Sequence, residues 1–143
     1  MTDKQLKVKK WLNRAFDAEK KVKALELCVQ QCRERAESIS VCYDSNDKSK
    51  SDRSTNVTEN ILIRLADAEM ELSKQIIELL DISDEIKETI AKLKDDSLET
   101  IMIHRYILFH TVEKTAELTN YSVETVKRKQ RQAIEKLTPF DTF

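Results

Sequence analysis

Glycine is absent from this chain of 143 residues, and proline occurs once, at Pro139. Without glycine, tight turns and hairpin loops that need positive φ are hard to make, which argues against a β-rich fold. Nucleotide sites built on glycine loops, of the Walker or Rossmann kind, are excluded on the same ground. No apolar run approaches the ~20 residues that span a bilayer, and the N-terminus has no apolar stretch of the signal-peptide kind. Cysteine is scarce and odd in number, at Cys28, Cys32 and Cys42, so the expectation is reduced thiols in a cytoplasm. What is abundant is charge. Lys, Arg, Asp and Glu make up 36% of the chain, and aliphatic residues recur between them at helical spacing, a pattern that suits long solvated helices.

From about Asp3 to Ile39 an apolar heptad runs through Val8, Trp11, Ala15, Ala18, Val22, Leu25, Val29, Cys32, Ala36 and Ile39. The alternating spacing of three and four predicts one helix, about 55 Å long, that lays a narrow seam on a partner helix. Residues 44–56 then contain no apolar side chain. They cannot bury surface to offset their ordering entropy, and a flexible polar loop is predicted over 43–57. The periodicity resumes at Val57 and continues through Ile61, Leu65, Ala68, Leu72, Ile76, Leu79, Ile82, Ile86, Ile90 and Leu93. Two seam-bearing helices joined by one loop fold back as an antiparallel hairpin. Charge agrees with that. Residues 3–23 hold eight Lys/Arg against three Asp/Glu, and residues 78–96 hold seven Asp/Glu against three Lys, so the basic start of the first helix lies beside the acidic end of the second. Leu12, Phe16, Leu27, Leu62, Met70, Ile77 and Leu80 fall off the seams and are available for a homodimer contact or for the C-terminal region.

The last part of the chain changes character. Asp96 or Ser97 caps a new helix, with Glu99 completing a capping box on Asp96. That helix carries Leu98, Ile101, Met102, Arg105 and Tyr106. Thr111 caps a short helix with Thr115, Ala116 and Leu118. Asn120, the residue other than glycine most tolerant of the left-handed conformation, makes the turn. Ser122 caps a final helix that buries Val126, Ala133, Ile134 and Leu137. A small residue mid-helix, a turn residue four positions later, then a cap and a buried Val, is the helix-turn-helix layout, in which two helices cross closely at the alanine. The second helix carries Lys127, Arg128, Lys129 and Arg131 within five residues. Its first turn is Ser122, Val123, Glu124 and Thr125, the turn that reaches base edges in this motif.

The stretch from Tyr106 to Leu137, with Val112-Glu113-Lys114-Thr115-Ala116-Glu117-Leu118, Asn120-Tyr121-Ser122, Val126-Lys127-Arg128 and Ala133-Ile134-Glu135-Lys136-Leu137, resembles region 4 of bacterial sigma-70 factors. It is most similar to the short phage late-gene transcription regulators of the ArpU and RinA type, which carry a helical N-terminal half before a sigma-like tail. The resemblance covers residues 97–137 and is architectural before that. It implies a DNA-binding role for Val123, Glu124, Thr125, Lys127 and Arg128, with RNA polymerase as a further partner. Asn120 stands where that family usually has glycine, and Val123 and Thr125 where it often has arginine, so its sequence preference does not carry over. The chain offers no promoter-melting segment, so a complete sigma factor is not implied.

Other residues carry weaker signals. Cys28 and Cys32 are one helical turn apart, but the spacing matches no zinc module, and core thiols are the reading taken; no metal or other cofactor is assigned. His104 and His110 have no nucleophile or acid at a recognisable spacing, and the chain is read as a non-enzyme. Trp11 reads as a core anchor or a partner anchor. Glu124 either complements the helix dipole or accepts from a cytosine amino group. The acidic second helix is either a solvated face or a docking surface for a basic partner. The expectation is therefore an all-α protein: a helical hairpin over 1–96 and a helix-turn-helix domain over 97–143. The tail, through Ser122, Val123, Glu124, Thr125, Lys127, Arg128, Lys129 and Arg131, binds double-stranded DNA as a phage or prophage transcription regulator, acting as a homodimer and away from membranes. The competing expectation is a protein-interaction module that works through the hairpin, as an inhibitor or a polymerase-binding factor.

Overall fold

A computed structural model describes residues 2–44 and 51–140. Thr2 and Gln5 cap α1 (Asp3–Leu12) reciprocally. α2 (Arg14–Asp44) follows after a single residue, Asn13. The expected unbroken helix is thus two segments. Asn13 keeps right-handed dihedrals (φ −75°, ψ −5°), its N–H donates to the Lys9 carbonyl at 3.0 Å, and its own carbonyl accepts from Asp17 at 3.1 Å. The irregularity is local, as befits a side chain that competes with the backbone for hydrogen bonds, and the heptad runs on through it.

α3 spans Ser51–Ala91 and so begins before Val57. Helix occupies residues 43–44 and 51–57 on the two sides of the expected loop, while residues 45–50 lie outside the described residues. With no Gly or Pro to stop it, a long packed helix extends into polar sequence at little cost, because propensities differ by only a few tenths of a kcal/mol, roughly, among Ser, Thr, Asn, Asp, Lys and Arg.

Two compact units divide the chain: residues 20–78, and residues 1–19 with 79–143. In the first, α2 and α3 run antiparallel. Val22 and Val29 are buried, while Leu25, Cys32, Ala36, Ile39, Ile61, Leu65, Ala68, Leu72 and Ile76 are half-buried along the seam. Gln75 of α3 is buried, and its side chain donates to Glu71 at 3.1 Å. Arg33 reaches across to Glu69 at 2.7 Å. Two helices shield only the seam between them. Leu27, Leu62, Ile63, Met70 and Ile77 all remain exposed.

The second unit joins both ends of the hairpin to α4 (Asp96–Tyr106), α5 (Val112–Thr119) and α6 (Val123–Leu137). Its core gathers Val8, Leu12 and Ala15 from the chain's start with Ile86, Ile90 and Leu93 from the end of α3. Leu98, Met102 and Tyr106 of α4 and Ala133, Ile134 and Leu137 of α6 complete it. The division drawn at 96/97 from the sequence therefore runs through one core. Leu12, off the heptad, is fully buried here, and Phe16 sets its ring 5.8 Å from Phe109. Leu80 stays exposed. Arg14 pairs with Glu85 at 2.9 Å, joining the basic start to the acidic end as the charge pattern requires. Trp11 is half-buried at the edge of the core with the Arg14 guanidinium 5.2 Å over its ring.

The three connections that follow α3, α4 and α5 solve the missing-glycine problem the same way. Lys94 (φ 52°), Phe109 (φ 59°) and Asn120 (φ 60°) adopt positive φ without being glycine. Only the last was expected. Left-handed backbone costs a non-glycine residue roughly 1–2 kcal/mol, which the surrounding packing has to offset.

Candidate nucleic-acid interface

α5, the turn at 120–122 and α6 form a helix-turn-helix. Thr111 caps α5 by accepting from the Lys114 N–H at 3.1 Å. Asn120 ends it in the left-handed region (φ 60°, ψ 25°). Ser122 caps α6 by accepting from the Thr125 N–H at 3.2 Å. The two helices close on a small core of Ile101, Ala116 and Val126, flanked by Val112 and Val123. Ala116 is buried in this contact. Thr115 beside it is fully buried, and its hydroxyl donates to the Thr111 carbonyl at 2.8 Å, so no polar group is left orphaned. Leu118, on the same helix, is exposed.

The start of α4 differs from its expectation in one detail. Asp95, not Asp96 or Ser97, is the N-cap, and its carboxylate accepts from the Ser97 and Leu98 N–H groups. The bond from the Ser97 hydroxyl, then that from the Leu98 N–H, holds the Asp95 carboxyl below its ordinary range.

α6 is locked to α4 by a polar network. Arg105 donates from Nε to Gln130 Oε1 at 3.1 Å and from a terminal nitrogen to the His110 carbonyl at 2.6 Å. Gln130 Nε2 donates to the Tyr106 hydroxyl at 2.9 Å. Burial pushes the Tyr106 phenol up. His104 and His110 stack at 5.2 Å with their Nδ1 atoms 3.0 Å apart. Desolvation first, and the neighbouring His110 second, lower the His104 pKa from its ordinary 6.5. Neither Gln130 nor the histidine pair was placed in a structural role from the sequence, because a lone polar side chain gives no periodic signal.

These contacts sort the residues proposed for DNA. Lys129 is half-buried; its Nζ donates to Ser97 Oγ at 3.0 Å and lies 5.3 Å over the Tyr121 ring. Val123 packs against the Ile101 core. Thr125 is half-buried and shares a hydrogen bond with the Ser122 hydroxyl at 2.7 Å. Ser122, Glu124, Lys127, Arg128 and Arg131 are exposed. Lys127, Arg128 and Arg131 follow one another at one and three positions and share the outward face, together with Gln132 and Glu135. Arg128, Arg131, Gln132 and Glu135 line a shallow groove.

The remaining candidates are placed as follows. Cys28 is exposed and Cys32 half-buried, both free thiols; the side chain of Cys42 lies outside the described residues. Among the described residues, no group of His, Cys, Asp and Glu is arranged to hold a metal ion, and no helix is long and apolar enough to cross a membrane. No protein-family model, curated protein or solved structure matches the chain.

Proposed function

We propose that this protein is a sequence-specific DNA-binding transcription regulator, of the phage or prophage kind that its tail resembles, acting in the cytoplasm of a bacterial cell. The observation that supports it best is the geometry of α5 and α6. Ala116 and Asn120 bring the two helices together as a helix-turn-helix, and the outward face of α6 then carries Glu124, Lys127, Arg128 and Arg131. Such a helix fits the ~12 Å width of the major groove. Its first turns face base edges, and the cations further along face phosphates. Ser122 and Glu124 are the residues at the base-reading end, Lys127, Arg128 and Arg131 those nearer the backbone. On this reading the protein binds and does not catalyse, and RNA polymerase is the partner through which it acts.

The test is selection of bound duplexes from a random library at ~150 mM salt, where non-specific binding is weak. The wild type is expected to enrich a motif and a Lys127→Ala/Arg128→Ala variant to enrich none. A wild type that enriches nothing overturns the proposal.

A further inference from the structure

α3 carries a second apolar seam that its own hairpin does not use. Ile63, Ala66, Met70, Ser73 and Ile77 recur at three and four, and the stripe they form lies on average about 140° round the helix from the inner seam (Ile61, Leu65, Ala68, Leu72 and Ile76). The stripe is solvent-exposed: Met70 is 70% accessible, Ile63 and Ile77 59% each. The small residues Ala66 and Ser73, beside Met70 and Ile77, leave a hollow. A heptad stripe with small residues at fixed steps between large ones is the pattern of a helix that receives another helix.

We infer that this face binds the same face of a second copy of the chain, with the two α3 helices antiparallel. The stripe is self-complementary in that orientation alone. With the dyad midway between Met70 and Ser73, each Ile77 meets the other chain's Ala66 and each Met70 meets the other chain's Ser73, large against small through the four central steps, while each Ile63 meets the other chain's exposed Leu80 at the ends. A parallel pair in register sets Ala66 on Ala66 and Ser73 on Ser73, leaving two voids in the seam. Charge points the same way. Asp67 and Lys74 are both exposed and sit one heptad apart on one edge of the stripe. An antiparallel partner brings the same edge alongside, and Asp67 of each chain then lies within about 3 Å, along the axis, of Lys74 of the other. The parallel pairing sets Lys74 beside Glu69, which Arg33 already engages at 2.7 Å. Ser73 can be covered without loss, because its hydroxyl donates to the Glu69 carbonyl of its own helix at 3.0 Å. The contact does not depend on the tail binding DNA. If it does bind, a two-fold pair presents two copies of α6 and reads an inverted repeat.

Sedimentation equilibrium of the full chain at micromolar concentrations tests the inference, with helicity by circular dichroism as the control for folding. The wild type is expected to be a dimer. Met70→Lys and Ile77→Lys are expected to raise the dissociation constant by roughly a hundredfold, since each places two charges in the symmetric seam. Asp67→Lys or Lys74→Asp alone should weaken the dimer about fivefold, and the double exchange Asp67→Lys/Lys74→Asp should restore it. A monomeric wild type overturns the inference, as does a dimer indifferent to Met70→Lys. A double exchange that fails to restore overturns the antiparallel register. If the lysine variants lose helicity, the charge exchanges, which alter only exposed positions, decide the matter.

Discussion

His104 and His110 form a contact that tolerates only certain protonation states. Two Nδ1 atoms 3.0 Å apart need one N–H and one lone pair between them, and a second proton removes the acceptor. Because burial and His110 lower the His104 pKa below 6.5, the unfolded chain takes up a proton near that pH which the folded chain refuses. Stability from this group is therefore complete above pH 6.5 and is lost as pH falls below it toward the folded pKa. The melting temperature is expected to drop between pH 7.5 and pH 5, and His104→Asn should flatten that dependence. A melting temperature indifferent to pH over this range would mean that His104 is not held neutral. Asn120 illustrates a residue whose role could be read in advance: a short side chain at the turn of a glycine-free chain. Phe109 could not be read so. It combines a positive φ with a ring contact to Phe16, a residue far away in sequence.

At the scale of the element, α6 divides its cations between two tasks. The run from Lys127 to Arg131 looks uniform in sequence, yet helical rotation turns Lys129 toward Ser97 and Tyr121 and leaves Lys127, Arg128 and Arg131 outward. If the outward three meet phosphates, replacing Lys127 or Arg131 by alanine should lower the slope of log affinity against log salt by about 1 each. Lys129→Ala should leave that slope nearly unchanged and instead loosen the contact between α6 and the start of α4. Titrations of a labelled duplex at several salt concentrations separate the two effects. Equal slopes for Lys127→Ala and Lys129→Ala would refute the division. Periodicity found α6, its cap and its buried stripe. It could not assign Lys129, because the partner of a half-buried lysine lies on another helix.

At the scale of the whole molecule, the tail is not self-sufficient. Leu12 is fully buried in the same core as Met102 and Ile134, together with Ile86 and Ile90. Leu12→Ala is expected to cost about 3 kcal/mol by urea denaturation, and a fragment confined to residues 95–143 should lack cooperative unfolding, since it leaves Leu98, Met102 and Ile134 uncovered. A fragment that unfolds cooperatively would show that the hairpin's base is dispensable. In the unit of residues 20–78 the seam shields one side of α3 only, and Ile63, Met70 and Ile77 stay exposed.

What the sequence determined by itself is what local rules govern: the helices, because apolar spacing is a property of neighbours along the chain; their antiparallel return, because charge and the polar stretch 44–56 both favour it; and the caps at Thr111 and Ser122 with the turn at Asn120, because each acts within a few residues. The tertiary structure alone decided that Leu12 belongs to the tail's core, that Lys129 faces inward while Lys127, Arg128 and Arg131 face out, and that Lys94 and Phe109 adopt left-handed backbone. Each of these depends on surfaces brought together from distant parts of the chain, where burial and polar partnering outweigh local preference.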